Sequence, residues 1–434
     1  MPTTLLEKIE TRAARVVVMG LGYAGLPLAL ELARAGFRTV GLELELEKVR
    51  ALNAGQSYIA DVASEELAPL VASERLRATQ DATLLRDADV VIVCVQTPLN
   101  KTREPDLRPL VQAVDQIAEH QHAGMLIVLE STSYPGTTTE ILVPKLTAGG
   151  YALGESVHIA FSPERVDPGN ARFKLRNTPK VLAGATPACL AVARALYAQV
   201  VDELVPVSST ATAEMVKLLE NTFRAVNIAL VNEMAIMSRR VGVDPFEVMR
   251  AAATKPFGFM PFYPGPGLGG HCLPVDPLYL SWKLETLDYQ ARFIALADAV
   301  NASMPQYVVE RLAQALESRQ KSVAASNILL YGVAYKADVS DVRQSPAVPI
   351  IEALRKQGAR VAYLDPLVPT LELESGALTS LELGHGFGDF DAVVLVTAHS
   401  ALDRARLVRE ASLIVDTRGA LAEFASNHSK IWGL

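Results

Sequence analysis

Short apolar runs alternate with amphipathic stretches over the first half of the chain. RVVVMG (15–20), FRTVGLE (37–43), ADVVIVCV (88–95), MLIVLES (125–131) and HIAFSPE (158–164) carry apolar, often β-branched residues on successive positions, as strands covered on both faces do. The stretches between them have helical spacing, so the pattern predicts crossover helices over a parallel sheet. From Thr210 the period changes. TATAEMVKLLENTFRAVNIALVNEMAIMSRRVG (210–242) keeps a helical repeat throughout, which at about 1.5 Å per residue predicts a rod of nearly 50 Å. A second helical block runs from about Pro277 to Ser318, with a break near Tyr289 and a bend at Pro305. Strands then return as NILLYGV, RVAYLDP, DAVVLVTAH and LIVDTRG, separated by helical segments such as PAVPIIEALRKQG. The expected domains are 1–209, a sheet domain; 210–318, a helical domain; and 319–434, a second sheet domain. The long helix has more apolar surface than one sheet domain covers, which predicts a homodimer or a higher homo-oligomer.

Composition narrows the function classes. The 41 Lys+Arg against 48 Asp+Glu leave a net charge of −7, which speaks against a nucleic-acid binder but permits a local basic pocket for phosphates. No apolar run approaches the roughly 18–20 residues needed to span a bilayer, and the start MPTTLLEKIETRAAR lacks the apolar core of a signal peptide. We expect no membrane segment and a cytoplasmic location. The three cysteines, Cys94, Cys189 and Cys272, are widely spaced and give neither a disulfide framework nor zinc-ligand spacing. The seven histidines form no metal pattern, so no metal is expected. Cys94 and Cys189 read as core, Met234, Met237 and Met249 as helix packing, and His271 as structural.

Strand RVVVMG runs straight into GLGYAG, so Gly20, Gly22 and Gly25 form GxGxxG between a strand and a helix. The first glycine makes the turn, the second admits a pyrophosphate against the backbone, and the third packs helix on strand, with the phosphates at a helix N-terminus. Glu43 ends the next strand, 18 residues after the last glycine, where a carboxylate accepts ribose hydroxyls and repels a 2′-phosphate. NAD is therefore favoured over NADP, although Lys48 and Arg50 stand close enough to weaken that second inference. The fold class is α/β, with two Rossmann-like doubly wound parallel-sheet domains joined by a long central helix and a helical dimerisation region.

Lys217 and Asn221 stand four apart on the long helix and share one face. Beside a nicotinamide such a pair stabilises an alkoxide or a tetrahedral oxyanion. GPGLGGHCLPVDP (265–277) pins the backbone around Cys272 with four glycines and three prolines, with Asp276 four residues on. That constraint suggests a preorganised pocket. Cys272 would serve as nucleophile, since a nearby cation favours thiolate, and Asp276 would orient Lys217 or a water.

GLGYAG with Glu43, VQTP (95–98), STSYPGT (131–137), SPER (162–165), Lys217 with Asn221, GGHCLPVDP and GVAYKADVSDVRQSP (332–346) follow one another in this order. The set resembles the nucleotide-sugar 6-dehydrogenases, the UDP-glucose/GDP-mannose dehydrogenase family, over nearly all of 14–420. The resemblance implies a four-electron oxidation of a hexose C6 alcohol to a uronic acid, using two NAD in sequence at one site. Products of this kind feed polysaccharide biosynthesis, lipopolysaccharide O-antigen included. The resemblance assigns Gly20, Gly22, Tyr23, Ala24, Gly25, Glu43, Lys48, Thr97, Thr132 and Arg343 to the cofactor. It assigns Glu164, Arg165, Lys217, Asn221, Tyr263, Gly265, Gly267, Gly269 and Lys336 to the UDP-sugar. In the implied chemistry, Cys272 adds to the aldehyde, the thiohemiacetal gives up a second hydride, and water hydrolyses the thioester. Thr132 and Asp276 position water, Glu164 assists hydrolysis, and Lys217 with Asn221 holds the oxyanion. The first proton would leave through a water held by Lys217 and Asp276, and which group is the formal base is not legible from sequence.

One departure bears on the substrate. Many UDP-glucose dehydrogenases carry a second glutamate four residues after the one matching Glu164, where this chain has Pro168. SPERVDPGN and PFGFMPFYPGPGLGGHC resemble the branch acting on N-acetylated hexosamines. The expected substrate is UDP-N-acetylglucosamine, with UDP-glucose, UDP-N-acetylgalactosamine and UDP-N-acetylmannosamine as alternatives. Lys255 stands close to, but not at, the position of a substrate arginine in UDP-glucose enzymes. Two rival readings differ in class. A two-electron β-hydroxyacid dehydrogenase needs neither the thiol nor a second sheet domain, and a non-catalytic nucleotide-sugar sensor needs none of Cys272, Lys217 and Asn221.

Overall fold

The computed structural model describes residues 4–59, 61–170, 172–427 and 429–434. The chain divides into two compact units, Met1–Glu220 with Leu278–Tyr289, and Asn221–Pro277 with Gln290–Leu434. The first boundary falls within the long helix Thr210–Arg240.

In the first unit the described residues form an eight-stranded sheet. Its strands are β1 (Arg15–Met19), β2 (Arg38–Leu42), β3 (Leu76–Thr79), β4 (Val90–Val93), β5 (Met125–Leu129), β6 (Val157–Phe161), β7 (Lys180–Gly184) and β8 (Leu204–Pro206). Their order is β3-β2-β1-β4-β5-β6-β7-β8. All neighbours are parallel except β6 and β7, which are antiparallel. Continuous apolar strands are explained by burial on both faces. Val16, Val18, Ile92 and Val128 share one core with Leu26 and Leu32 of the helix Gly25–Ala35. Val17, Met19, Val91 and Ile127 share the other with Leu110, Val114 and Ile117 of the helix Arg108–His120. Each such side chain contributes about 1.5–3 kcal/mol of burial free energy. Three of the strands, β3, β7 and β8, lie outside the apolar runs. LRAT and LVP are too short to show a period, and KVLAG begins on a lysine.

Strand β1 sits between β2 and β4, so the winding of the sheet reverses beside it. In open α/β sheets ligands bind outside the carboxyl ends of the strands at that reversal. Gly20, Cys94, Glu130 and Ser162 each directly follow a strand at this end.

The second unit holds β9 (Asn327–Tyr331), β10 (Arg360–Leu364), β11 (Thr370–Leu371), β12 (Leu378–Thr379), β13 (Ala392–Leu395), β14 (Ile414–Asp416) and β15 (Ile431–Gly433). Five of these make a wholly parallel sheet in the order β10-β9-β13-β14-β15, and β11 pairs with β12 alone. Ile328, Leu330 and Val394 pack against Ile350 and Leu354 of the helix Ala347–Lys356, while Leu329, Tyr331 and Val393 face a separate core. The second helical block is broken as expected, into Asp276–Glu285 and Arg292–Glu317. Pro305 lies inside the latter helix without ending it. Lacking an N–H, it leaves the Asn301 carbonyl without its usual partner, and that oxygen lies 3.1 Å from where a Cβ on Gly267 would stand. Met249 and Cys189 are buried, but Met237, expected to pack, is 44% exposed. It falls with Met215, Leu219, Phe223 and Leu230, all exposed, on one side of the long helix. No helix among the described residues is long and apolar enough to cross a membrane.

Candidate active site

The glycine turn after β1 separates three physical roles. Gly20 has φ +87°, and a Cβ there would lie 2.7 Å from the Cys94 carbonyl oxygen. A Cβ on Gly25 would lie 1.9 Å from the Gly20 carbonyl oxygen, so the helix packs onto the turn without room for a side chain. Gly22 differs, because a Cβ there would meet nothing within 4 Å. Open space above a backbone at a helix N-terminus fits a pyrophosphate. Tyr23 packs against the core, and Ala24 is the residue before the helix Gly25–Ala35. Glu43 is buried at the end of β2. Its Oε2 accepts from the Leu21 amide at 2.8 Å, and its Oε1 from the amides of Leu44 at 2.8 Å and Glu45 at 3.1 Å. The carboxylate thus ties the glycine turn to β2 and keeps acceptor capacity for ribose hydroxyls. Lys48 lies one turn on, with Nζ 2.6 Å from Glu45 Oε1.

The loops after β4 and β5 are joined directly. Ser131 Oγ donates to the Val95 carbonyl at 2.7 Å, and Tyr279 OH donates to the Pro98 carbonyl at 3.2 Å. Thr97 and Thr132, half-buried, stand on these two tied loops. After β6, Lys217 Nζ donates to the Glu164 carbonyl at 2.6 Å and lies 3.7 Å from Glu164 Oε2. Glu164 Oε1 also accepts from the Val166 amide. Burial pushes the Glu164 carboxyl up from its ordinary value, against the pull of Lys217 and Lys180. A carboxyl so held exchanges protons closer to neutrality, as a general acid or base must. Arg165 follows, with Nη1 donating to the Pro179 carbonyl at 2.6 Å and Nε to Glu220 at 3.1 Å.

In the second unit the cysteine loop is built against its neighbours. Cys272 is half-buried, its Sγ 3.5 Å from His271 Nε2, and its carbonyl accepts from the Asp276 amide at 2.8 Å, opening the helix Asp276–Glu285. Asn221 Nδ2 donates to Asp276 Oδ2 at 2.5 Å, and both residues are buried. The preceding glycines approach protein closely. Cβ atoms on Gly265 and Gly269 would stand 2.7 Å from Arg418 Nη1 and 2.5 Å from Tyr335 Cβ. Gly267 and Gly270 have positive φ, and the Gly270 amide donates to the Arg343 carbonyl at 2.9 Å. Tyr263 is 49% exposed, and the Lys255 ammonium sits over the Phe257 ring.

Two buried asparagines that the sequence pattern did not single out hold this loop. Asn232 Oδ1 accepts from the Gly265 amide at 2.9 Å, Asn232 Nδ2 donates to Asn301 Oδ1 at 2.9 Å, and Asn301 Nδ2 donates to the Ala225 carbonyl at 3.1 Å. The side-chain amide oxygen and nitrogen of both asparagines thus each have a partner, as burial demands. Lys336 and Arg343 lie on the loop after β9. That loop is anchored by Asp365, which accepts from the amides of Val333 and Ala334 at 2.7 and 3.1 Å and faces His399 Nε2 at 3.1 Å. Arg343 is clamped by Asp341, with Nε 3.0 Å from both carboxylate oxygens. Burial lowers the Arg418 guanidinium to about 10, with Asp416 opposing.

The first unit therefore assembles the glycine turn with Glu43, the Thr97 and Thr132 loops, and Glu164 with Lys217. The second assembles Asn221, Asp276, the Cys272 loop and the loop of Lys336 and Arg343. Residues 14–201, 211–303 and 329–423 match, in turn, the NAD binding domain, the central domain and the UDP binding domain of the UDP-glucose/GDP-mannose dehydrogenase family. The chain is 36% identical over 391 residues to a UDP-N-acetyl-D-glucosamine 6-dehydrogenase of Pseudomonas aeruginosa, covering 89% of this chain and 90% of that one. It is 35% identical over 388 residues to a UDP-N-acetyl-D-mannosamine dehydrogenase of Pyrococcus horikoshii, covering 89% of each. A solved UDP-D-ManNAc dehydrogenase from Pyrococcus horikoshii superposes with a TM-score of 0.85 at 33% identity, over 93% of this chain and 95% of that one. Glycine turn, buried strand-end acid and ordered matches along the chain agree, and the protein belongs to the UDP-glucose/GDP-mannose dehydrogenase family of NAD-dependent enzymes.

Proposed function

We propose that the chain oxidises the C6 hydroxyl of UDP-N-acetylglucosamine to the uronic acid through a covalent intermediate on Cys272. The similarity to the Pseudomonas aeruginosa enzyme, along nine-tenths of that protein, carries the choice of sugar. Pro168, in place of a second glutamate, supports it. Bound NAD supplies the hydride acceptor, and the four-electron change requires two per cycle.

The residues then have the following work. A water held by Lys217 and Asp276 takes the hydroxyl proton in the first oxidation. Cys272 adds through Sγ to the aldehyde carbon, giving a thiohemiacetal whose oxyanion Lys217 and Asn221 stabilise. Loss of hydride leaves a thioester, and water placed by Thr132 and Asp276 attacks it with Glu164 as base, releasing the acid and the thiol. The elevated Glu164 carboxyl and its contact with Lys217 support that last role. Gly20, Gly22, Tyr23, Ala24, Gly25, Glu43, Lys48, Thr97 and Arg343 would serve the dinucleotide, with Gly22 facing the pyrophosphate. Arg165, Tyr263, Gly265, Gly267, Gly269 and Lys336 would serve the UDP-sugar, Lys336 neutralising phosphate charge. Segments 1–209, 210–318 and 319–434 would act as cofactor, central and UDP-sugar regions. The exposed apolar side of the long helix supports a homodimer, and the chain would work in the cytoplasm.

Counting NADH per sugar tests this reading. UDP-N-acetylglucosamine should yield two NADH and a uronate, with kcat/KM at least about tenfold above UDP-glucose, UDP-N-acetylgalactosamine and UDP-N-acetylmannosamine. One NADH per sugar would refute the covalent route. A preference for UDP-N-acetylmannosamine would move the chain to the specificity of its Pyrococcus relative.

A further inference from the structure

We propose that the buried set Glu130, Lys180 and Tyr197 is a positioning device for Glu164: it holds the strand end that carries Glu164 and sets the charge that its carboxyl group faces. The inference rests on the reading of Glu164 as the base for thioester hydrolysis.

Lys180 Nζ lies 3.0 Å from Glu130 Oε2, with side chains only 3% and 1% exposed. Tyr197 OH donates to Glu130 Oε1, and the Lys180 ammonium sits 5.1 Å over the Tyr197 ring. A buried ion pair is a poor source of stability, because desolvating both charges offsets their attraction, and an apolar replacement of similar volume is often neutral or better. The position of this pair offers another reason for it. Glu130 directly follows β5, two residues before Thr132, and Lys180 opens β7, antiparallel to β6. Lys180 Nζ reaches 3.5 Å from the Pro163 carbonyl, the residue immediately before Glu164, and Ser162 Oγ donates to the Val181 carbonyl at 2.8 Å. The pair therefore spans the two strand ends that bear Thr132 and Glu164.

The charges facing Glu164 come from three elements: Lys217 on the long helix, Lys180 on β7 and Glu130 after β5. Cys94, after β4, stays a neutral thiol because burial pushes it up, and Arg165 is paired with Glu220. Glu130 thus screens Lys180. Removing the Glu130 charge leaves an uncompensated cation that favours the Glu164 carboxylate. Removing Lys180 leaves an uncompensated anion that opposes it.

The test is the pH dependence of uronate release in single turnover, from about pH 5 to pH 9. Glu130→Gln keeps an acceptor for Tyr197 and should move the acid limb to lower pH by about one unit. Lys180→Met should move it to higher pH by a similar amount, while Lys180→Arg, which keeps the charge, should leave it in place. If Lys180→Met does not fold, Glu130→Gln and Lys180→Arg still decide. Profiles that fall in amplitude but keep the wild-type midpoint would reduce the set to scaffolding and overturn the proposal. Glu164→Gln separates the two claims: a limb that survives in that variant removes Glu164 as the base, whereas loss of the limb there with no movement in Glu130→Gln removes only the positioning role.

Discussion

Two glycine-rich segments in this chain are used in opposite ways. In residues 20–25 the outer glycines are closed in by backbone and the middle one, Gly22, looks into open space. In residues 265–270 Gly265, Gly267 and Gly269 abut an arginine, a helix carbonyl and a tyrosine. Each segment is pinned by one buried side chain accepting a backbone amide, Glu43 from Leu21 and Asn232 from Gly265. The first turn leaves open space over its middle glycine, and the second lets protein press close beside the loop that carries Cys272. Glycine count alone does not tell these apart, and the neighbour a Cβ would meet does.

The largest effect should come where the second segment delivers its cysteine. Cys272→Ser should lower uronate formation by about 10³-fold or more while sugar-nucleotide binding persists, and full uronate output from that variant would end the covalent reading. Gly25→Ala should come next, since its Cβ would meet the Gly20 carbonyl oxygen at 1.9 Å. A loss of about 3 kcal/mol or outright misfolding is expected by calorimetry or denaturant titration. Gly22→Ala should leave stability within about 0.5 kcal/mol yet weaken NAD binding about tenfold. Equal stability losses at both glycines would break the comparison. Asn232→Ala strands the Gly265 amide in the interior and should cost about 1–3 kcal/mol. Asn232→Asp keeps that acceptor but loses the donor to Asn301 Oδ1, so denaturant titration should show only part of the loss recovered.

A smaller effect concerns pH. Burial raises the folded-state Glu164 carboxyl above its unfolded value, so the contribution of this group to stability is greatest below the ordinary carboxylate range and is lost as pH rises through the raised folded value. Glu164→Gln lacks that slope, and its unfolding midpoint should overtake wild type near neutrality while the two converge in acid. The least effect belongs to Lys48→Ala, which breaks an exposed pair with Glu45 and should change stability by less than about 0.5 kcal/mol.

Local signals carried much of the picture. The apolar runs over β1, β4 and β5, the strand-to-helix glycines, and the four-residue spacing of Lys217 and Asn221 are all readable because their periods are short. The fixtures around them are not. Asn232 and Asn301 lie 69 residues apart, and Glu130 follows β5 whereas Lys180 opens β7. Each looks like an ordinary polar residue within its own segment, and only the folded chain brings the partners together. Strand β8, three residues at the sheet edge, carries too little pattern to stand out, and β7 beside it opens on a lysine whose buried partner lies elsewhere in the chain.

The engagement of Glu43 has a consequence for anyone wishing to exchange the coenzyme. Its carboxylate accepts three amide protons, from Leu21, Leu44 and Glu45. Trimming it to admit a phosphorylated adenosine would strip all three of their acceptor at once, so a retrofit for the other coenzyme must rebuild the turn as well as neutralise the charge. With Glu43 read as the ribose acceptor, selectivity for the dinucleotide and the shape of its cradle would be one property.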